Sequence, residues 1–177
     1  MPLDTYRVNR GPASKGWGIE PFSGSSRRHR NRDGDRLTKS GATPCDGGVI
    51  QSGILNPHLL ALLARVRHTN TIVIADSMFP SWPGLVEVDL SLVYGIPTIP
   101  QVLSAVLANW KCGAAWMASE FEGSNDSAVR DEFRRAFGAV PLVLEPHRSL
   151  KLRVPRAMGL IRTGEARIYT NVVLESA

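Results

Sequence analysis

Four polar positions bound otherwise apolar stretches of this chain. They are His68, just before the run Thr71-Ile72-Val73-Ile74-Ala75; Asp76, at the end of that run; His147, closing "PLVLEPH"; and the pair Tyr169/Asn171 in "RIYTNVVLE". An imidazole with a carboxylate, plus a phenol and an amide to hold hydroxyls, is a set suited to proton transfer on a small polar substrate. Absent motifs narrow the chemistry further. The chain has no glycine-rich phosphate loop, no nucleophile elbow and no Cys/His cluster with metal-ligand spacing. Each position also has a plain structural alternative: a turn histidine at 68, a turn-capping aspartate beside Pro80 at 76, a packed ring at 169, a backbone-bonded amide at 171. His58 falls in the first turn of a helix and is given no role. On the residues alone, the reading is an α/β domain with a site for a sugar or polyol.

Such residues act together only if the fold brings strand ends together. "NPHLLALLARV", 56–66, predicts a helix: Asn56 is a cap, Pro57 fits the first turn, and Leu59, Leu60, Leu62, Leu63 and Val66 share a face. The run 71–75 is apolar and β-branched, as in a strand covered on both faces. "GLVEVDLSL", 84–92, alternates like a strand or extended arm, and Gly95, Pro97 and Pro100 read as turn residues before a helix over 101–110. A second buried strand is expected over 113–121. An amphipathic helix capped from Asn125, Asp126 and Ser127 follows, then a third strand over 141–147. "SLKLRVPRAMGLIRTGE" reads as a short helical or irregular piece, with Leu160-Ile161 leading into a turn at Gly164; 167–175 reads as a closing strand. Alternating helices and strands predict an α/β domain with a largely parallel sheet. Ligands of such sheets bind outside the carboxyl ends of the strands.

Composition sets the bounds. A chain of 177 residues, 43% apolar and 21% charged, fits one domain with some excess. No apolar run approaches a membrane span, and no cationic start precedes an apolar stretch, so neither membrane nor secretion is expected. Two cysteines, Cys45 and Cys112, allow at most one bridge, and a cytoplasmic location is the expectation. The net charge of +5 invites a nucleic-acid reading, but its placement argues otherwise. Residues 1–46 carry nine Lys/Arg against five acids, leaving twelve against eleven for 47–177. The Gly-, Ser-, Arg- and Pro-rich segment 1–46 is expected to be a disordered basic leader to a domain over 47–177. Its cluster "SSRRHRNRDGDR", 25–36, suits a phosphate-binding arm or, the preferred reading, a solvated tail or translated sequence upstream of a later start.

The domain resembles the D-ribose pyranase / L-fucose mutarotase family over essentially all of 49–177. The resemblance rests on "ILN" (54–56), "HTN" (68–70), "IVIAD" (72–76), "VDLSL…G.P" (88–97), "PH" (146–147) and "IRTGEARIYTN" (161–171). Spacing agrees as well: twelve positions from Asn56 to His68, eight from His68 to Asp76, twenty-two from His147 to Tyr169. The resemblance implies a three-layer α/β/α domain that interconverts ring forms of a free monosaccharide, most nearly D-ribose, by acid–base catalysis. His68 matches the family's proton donor. Asp76 and His147 match sugar-binding positions, and Tyr169, Thr170 and Asn171 match its closing substrate-binding tripeptide. No metal or organic cofactor is implied, and the implied assembly is a ring of subunits stacked as a decamer. The same landmarks leave an L-fucose-type mutarotase, or a non-catalytic sugar-binding or regulatory protein on this fold, as alternatives.

Two departures stand next to the histidine: Arg67 where the family usually has glycine, and Asn70 where it usually has aspartate. Substrate markers are mixed, since "DSMFP" (76–80) is closer to the fucose branch while "VDLSLVYGIP" and His147 are closer to the ribose branch. Geometry adds a constraint. Eight extended residues span at most roughly 26 Å, so His68 and Asp76 at opposite ends of one strand cannot both touch one monosaccharide. Either the chain folds back near Thr69–Asn70, or, as preferred, neighbouring subunits share the site.

Overall fold

The computed structural model describes residues 53–177; the expected leader over 1–46 lies outside the described residues. Helix α1 (Pro57–Arg65) starts as the sequence predicts, with Asn56 Oδ1 accepting the Leu59 N–H at 2.9 Å, and it buries Leu59 and Leu62. Strand β1 (Thr71–Ala75) follows. The alternating stretch 84–92 forms a strand only over β2 (Val86–Asp89); residues beyond it turn back on themselves, with Val93 bridging Ile96.

Helix α2 (Ile99–Asn109) begins before the expected 101. Thr98 and Gln101 form a reciprocal capping box, and Pro100 sits in the first turn, where its missing N–H has no intrahelical partner to lose. Strand β3 (Cys112–Ala118) ends earlier than the expected 121, because Phe121 starts the short helix α3 (Phe121–Ser124) and is buried. Helix α4 (Ser127–Phe137) is capped by Asp126 and closed by Gly138 at φ +59°, a conformation that favours glycine. The chain continues through β4 (Leu142–Glu145), α5 (His147–Arg153), a 3₁₀ turn over Val154–Arg156, β5 (Gly159–Arg162) and β6 (Val172–Ser176).

One expectation is corrected with consequence for the site. Residues 167–171 are not part of the closing strand, which begins only at Val172. Arg167 is drawn back onto Glu165 and Glu132, and Tyr169 stands at φ +59°, so the backbone cannot extend there.

The strand order is β2-β5-β1-β6-β3-β4. β6 is antiparallel to both its neighbours, and the other pairs are parallel, so five of the six strands run one way. Successive side chains of β1 divide between the faces. Ile72 and Ile74 join Leu59, Leu103, Val106, Phe133 and Phe137 beneath α1, α2 and α4, while Val73 and Ala75 meet Leu150, Val154 and Phe79 on the side of α5. The result is three layers, helices on both faces of a largely parallel sheet. Among the described residues, no helix is long and apolar enough to cross a membrane.

Candidate functional site

The reversed strand β6 makes the site. Because Ile74 of β1 pairs with Val172, the carboxyl end of β1 adjoins the segment entering β6. Met117 of β3 also pairs with Val172, and Ala118 pairs with Glu145 of β4. Asp76, His147 and the 169–171 segment therefore converge at one end of the sheet, the carboxyl ends of its parallel strands. That end holds a cleft of about 240 Å³, walled by the polar side chains of Asp76, His147, Lys151, Tyr169 and Asn171 and rimmed by Met78, Phe79, Pro80 and Ile168.

Asp76 and Asn171 hold each other. The Asp76 N–H donates to Asn171 Oδ1 at 2.8 Å, and Asn171 Nδ2 donates to Asp76 Oδ2 at 2.6 Å. The other carboxylate oxygen, Oδ1, accepts the Met78 N–H at 2.9 Å. With Asn171 only 3% exposed, this pairing fixes the carboxylate's rotation before any ligand arrives.

His147 opens α5. Its backbone N–H donates to the Glu120 carboxylate, at 2.9 Å to Oε2 and 3.1 Å to Oε1, tying the helix to the turn after β3. Hydrogen bonds from the backbone N–H of Glu120 itself, and then from that of His147, hold the Glu120 carboxyl below its ordinary range. The imidazole meets the Tyr169 ring edge-on, with centroids 5.2 Å apart at 82°, and its Nδ1 is buried without a hydrogen-bond partner. Thr170 is fully buried, and its Oγ1 donates to the Arg167 carbonyl at 2.9 Å; its side chain is not among those lining the cleft.

The cleft's second wall is braced from behind. Glu165, 1% exposed, accepts hydrogen bonds from the backbone N–H groups of Ile99, Ala166 and Arg167 and from the Arg167 guanidinium. Burial pushes the Glu165 carboxyl up, but the Arg167 hydrogen bonds and charge outweigh it and leave the group below its ordinary range. The same contacts, led by the hydrogen bond to Glu165, raise Arg167 further above its already high value.

His68 lies elsewhere. It is exposed, in the turn before β1, at the end of the strand opposite the cleft. The turn is closed: Asn70 Oδ1 accepts the Arg67 N–H and the Arg67 carbonyl accepts the Asn70 N–H, each at 2.9 Å, with Thr69 at φ +64°. The Arg67 guanidinium folds back onto the last carbonyls of α1, at 2.6 Å from Ala64 O and 3.0 Å from Val66 O. Of the six residues matched to family roles, four line the cleft, Thr170 lies behind it, and His68 stands apart.

Sequence reading missed Lys151, although its signal was available. It sits four residues after His147 and so shares that residue's helix face. Glu165, Arg167 and Glu120 carried no such signal, because their roles depend on partners far away in the chain.

A cleft at the carboxyl ends of the parallel strands, walled by the side chains of Asp76, His147, Lys151, Tyr169 and Asn171, defines the class: a small α/β domain with a polar-walled site. The chain belongs to the RbsD / FucU transport protein family, whose model matches residues 50–177. It is 40% identical over 126 residues to a D-ribose pyranase of Geobacillus kaustophilus, covering 71% of this chain and 92% of that protein. A D-ribose pyranase of Chromobacterium violaceum is 37% identical over 124 residues, covering 70% and 94%. Among solved structures, Bacillus subtilis RbsD complexed with D-ribose matches with TM-score 0.67 and 31% identity, covering 73% of this chain and 98% of that one. A fucose mutarotase from Streptococcus pneumoniae in complex with L-fucose shares the fold, with TM-score 0.60 at 20% identity over 69% and 92%.

Proposed function

We propose that this protein is a monosaccharide ring-form isomerase that interconverts the pyranose and furanose forms of D-ribose by general acid–base catalysis. The observation that carries this reading is the preset Asp76–Asn171 pair in a cleft that also presents His147, Lys151 and Tyr169. In the reaction the anomeric hydroxyl loses its proton while the ring oxygen gains one, and the C1–O5 bond breaks to give the open-chain aldehyde. Attack of the C4 hydroxyl on C1 then closes the furanose, with the reverse proton movements. No group is gained or lost overall, so the residues need only move protons and hold hydroxyls.

His68 is the proton-transfer residue in this reading. An imidazole can both donate and accept a proton, and general acid–base help of this kind is typically worth about 10²–10⁴ in rate. Asp76, His147, Tyr169 and Asn171 take the sugar hydroxyls, and Thr170 supports them through the loop it braces. A strand of five residues, roughly 16 Å long, lies between His68 and the cleft. The His68 turn therefore serves the cleft of a neighbouring copy, and the working unit is a homo-oligomer, a ring stacked as a decamer, in the cytoplasm.

Saturation-transfer NMR of D-ribose and of L-fucose, with and without the purified protein, tests the reading. Catalytic amounts of protein are expected to speed exchange between the pyranose and furanose anomeric protons of ribose. Faster exchange for fucose alone would move the assignment to that sugar. Sugar binding without faster exchange of either would leave a sugar-binding protein.

A further inference from the structure

Glu165 is the one carboxylate among the buried polar residues of the described chain, and it is not among the residues that line the cleft. A buried charge is costly unless it is paired and fully hydrogen-bonded. Here the pairing is complete. Oε1 accepts from Ala166 N at 2.9 Å, Arg167 N at 3.0 Å and Arg167 Nε at 2.7 Å; Oε2 accepts from Arg167 Nη2 at 2.6 Å and Ile99 N at 3.2 Å. The remaining guanidinium nitrogen of Arg167 reaches Glu132 of α4 at 2.6 Å. One carboxylate thus fastens the loop 165–167 to the first turn of α2 and, through Arg167, to α4.

The same short segment grips both walls of the cleft. The Glu165 carbonyl accepts from Ser77 N and from Ser77 Oγ, each at 2.9 Å, which fixes the residue next to Asp76. On the other side, the Arg167 carbonyl accepts the Thr170 hydroxyl, and Asn125 Nδ2 donates to the Ile168 carbonyl at 3.1 Å. Between these ties Tyr169 is held at φ +59°, a backbone state that a tyrosine keeps only where its surroundings over-determine it.

We propose that the Glu165–Arg167 pair is the positioning device of the sugar cleft, setting the gap between Asp76 and Tyr169. The proposal rests on the cleft being the ribose site. It makes Glu165 and Arg167 positioning residues, remote from the reacting atoms. Loosening the pair lets Tyr169 and its neighbours relax away from the sugar. That removes contacts made alike to bound sugar and to the transition state, so KM rises while kcat holds.

The test is Arg167→Lys in the full chain, with Arg167→Met and Glu165→Gln beside it. Lysine keeps the charge but cannot grip a carboxylate with a planar fork. Exchange kinetics on D-ribose and an independent dissociation constant for D-ribose by calorimetry are read together with circular dichroism. For folded Arg167→Lys we expect KM and Kd to rise about tenfold, the size of one lost hydroxyl contact, with kcat within about twofold. Arg167→Met should weaken binding further, so that lysine shows as a partial rescue. A role in folding alone would lower the active fraction, and hence apparent kcat, at unchanged KM; that result overturns the proposal. Glu165→Gln adds to the test if it folds, and the Arg167 variants decide the matter if it does not. Weakened Kd in a protein that binds ribose without exchanging it would sustain this proposal and sink the isomerase reading. Normal exchange with wild-type KM and Kd in Arg167→Lys would do the reverse. Absence of any ribose binding by the wild type would remove both.

Discussion

Asn171→Asp changes one nitrogen to oxygen, and the geometry makes its effect large. In the native protein Asn171 Nδ2 donates to Asp76 Oδ2 at 2.6 Å, while Asn171 Oδ1 accepts the Asp76 N–H at 2.8 Å. An aspartate keeps the second bond and places a carboxylate oxygen where the donor was. Two ionised carboxylates cannot stay in that contact, so the folded pair takes up one proton between them. In the unfolded chain the new aspartate ionises at about 3.9. Holding a proton at neutral pH costs about 1.4 kcal/mol for each unit above that value, so the penalty reaches at most about 4 kcal/mol at pH 7. Water entering at the open side of the cleft reduces it, and a loss of about 2–4 kcal/mol is expected.

The sign follows from the protons. The folded variant binds more protons than its unfolded chain, so the defect vanishes below about pH 4 and grows as pH rises. Urea unfolding of wild type and variant at pH 5 and pH 7.5 measures it. The stability difference should be larger at pH 7.5 by about 1–3 kcal/mol. A difference that is the same at both pH values would refute the argument, because a merely steric defect carries no proton.

Three further outcomes are expected. His68→Ala should lower the catalysed exchange rate by about 10²-fold or more while leaving the unfolding midpoint near wild type, since His68 is exposed in a turn; NMR exchange beside circular dichroism reads both. On the proposed reading Asp76→Asn should raise KM for D-ribose through loss of a charge-assisted bond to the sugar, and it should also lower the unfolding midpoint, because one amide oxygen cannot replace both carboxylate oxygens that accept from Asn171 Nδ2 and the Met78 N–H; kinetics at several ribose concentrations and thermal unfolding read the two effects. Glu165 is held below its ordinary value of 4.5, so it stabilises the fold above that pH, and the stability is lost as acid protonates it. Acid titration followed by tryptophan fluorescence should therefore show wild type losing stability below about pH 4.5 more steeply than a folded Glu165→Gln variant.

What the sequence made legible was local. Asn56 with Pro57, and Asp126 ahead of Val129, announce helix starts because capping is settled within three residues. The run 71–75 declares a covered strand by its β-branched content alone. The misreadings came where distant partners overrule local pattern. "RIYTN" alternates like a strand, but Arg167 is captured by Glu165 and Glu132, and the chain bends at Tyr169 before β6 can begin. Pro100 reads as punctuation until Thr98 is seen to cap a helix that has the proline inside its first turn. The site divides the same way. Asp76, His147 and Asn171 are recognisable as polar groups at strand ends, whereas the brace formed by Glu165 exists only once α2 and α4 are packed beside it.

The two departures beside His68 take their meaning from each other. A glycine before the histidine would leave that turn free to vary, and an aspartate at 70 would set a negative charge next to the imidazole. Here Arg67 closes the turn by bonding the end of α1, and Asn70 spends its carbonyl oxygen on the Arg67 N–H. The Arg67 guanidinium therefore lies against the end of α1, and the asparagine keeps the turn-forming acceptor without the charge. Ser176 adds a further clamp, its carbonyl accepting the Thr69 N–H at 3.2 Å and its N–H donating to the Asn70 carbonyl at 2.9 Å. Under the proposal that His68 serves a cleft on another copy, a turn fixed in advance is favourable, because ordering a loose loop on docking would cost about 1–2 kcal/mol per residue. On the proposed reading, residues that look like losses of a family pattern serve to present the proton-transfer group at one end of β1, while the reversed strand β6 gathers the sugar-holding groups at the other.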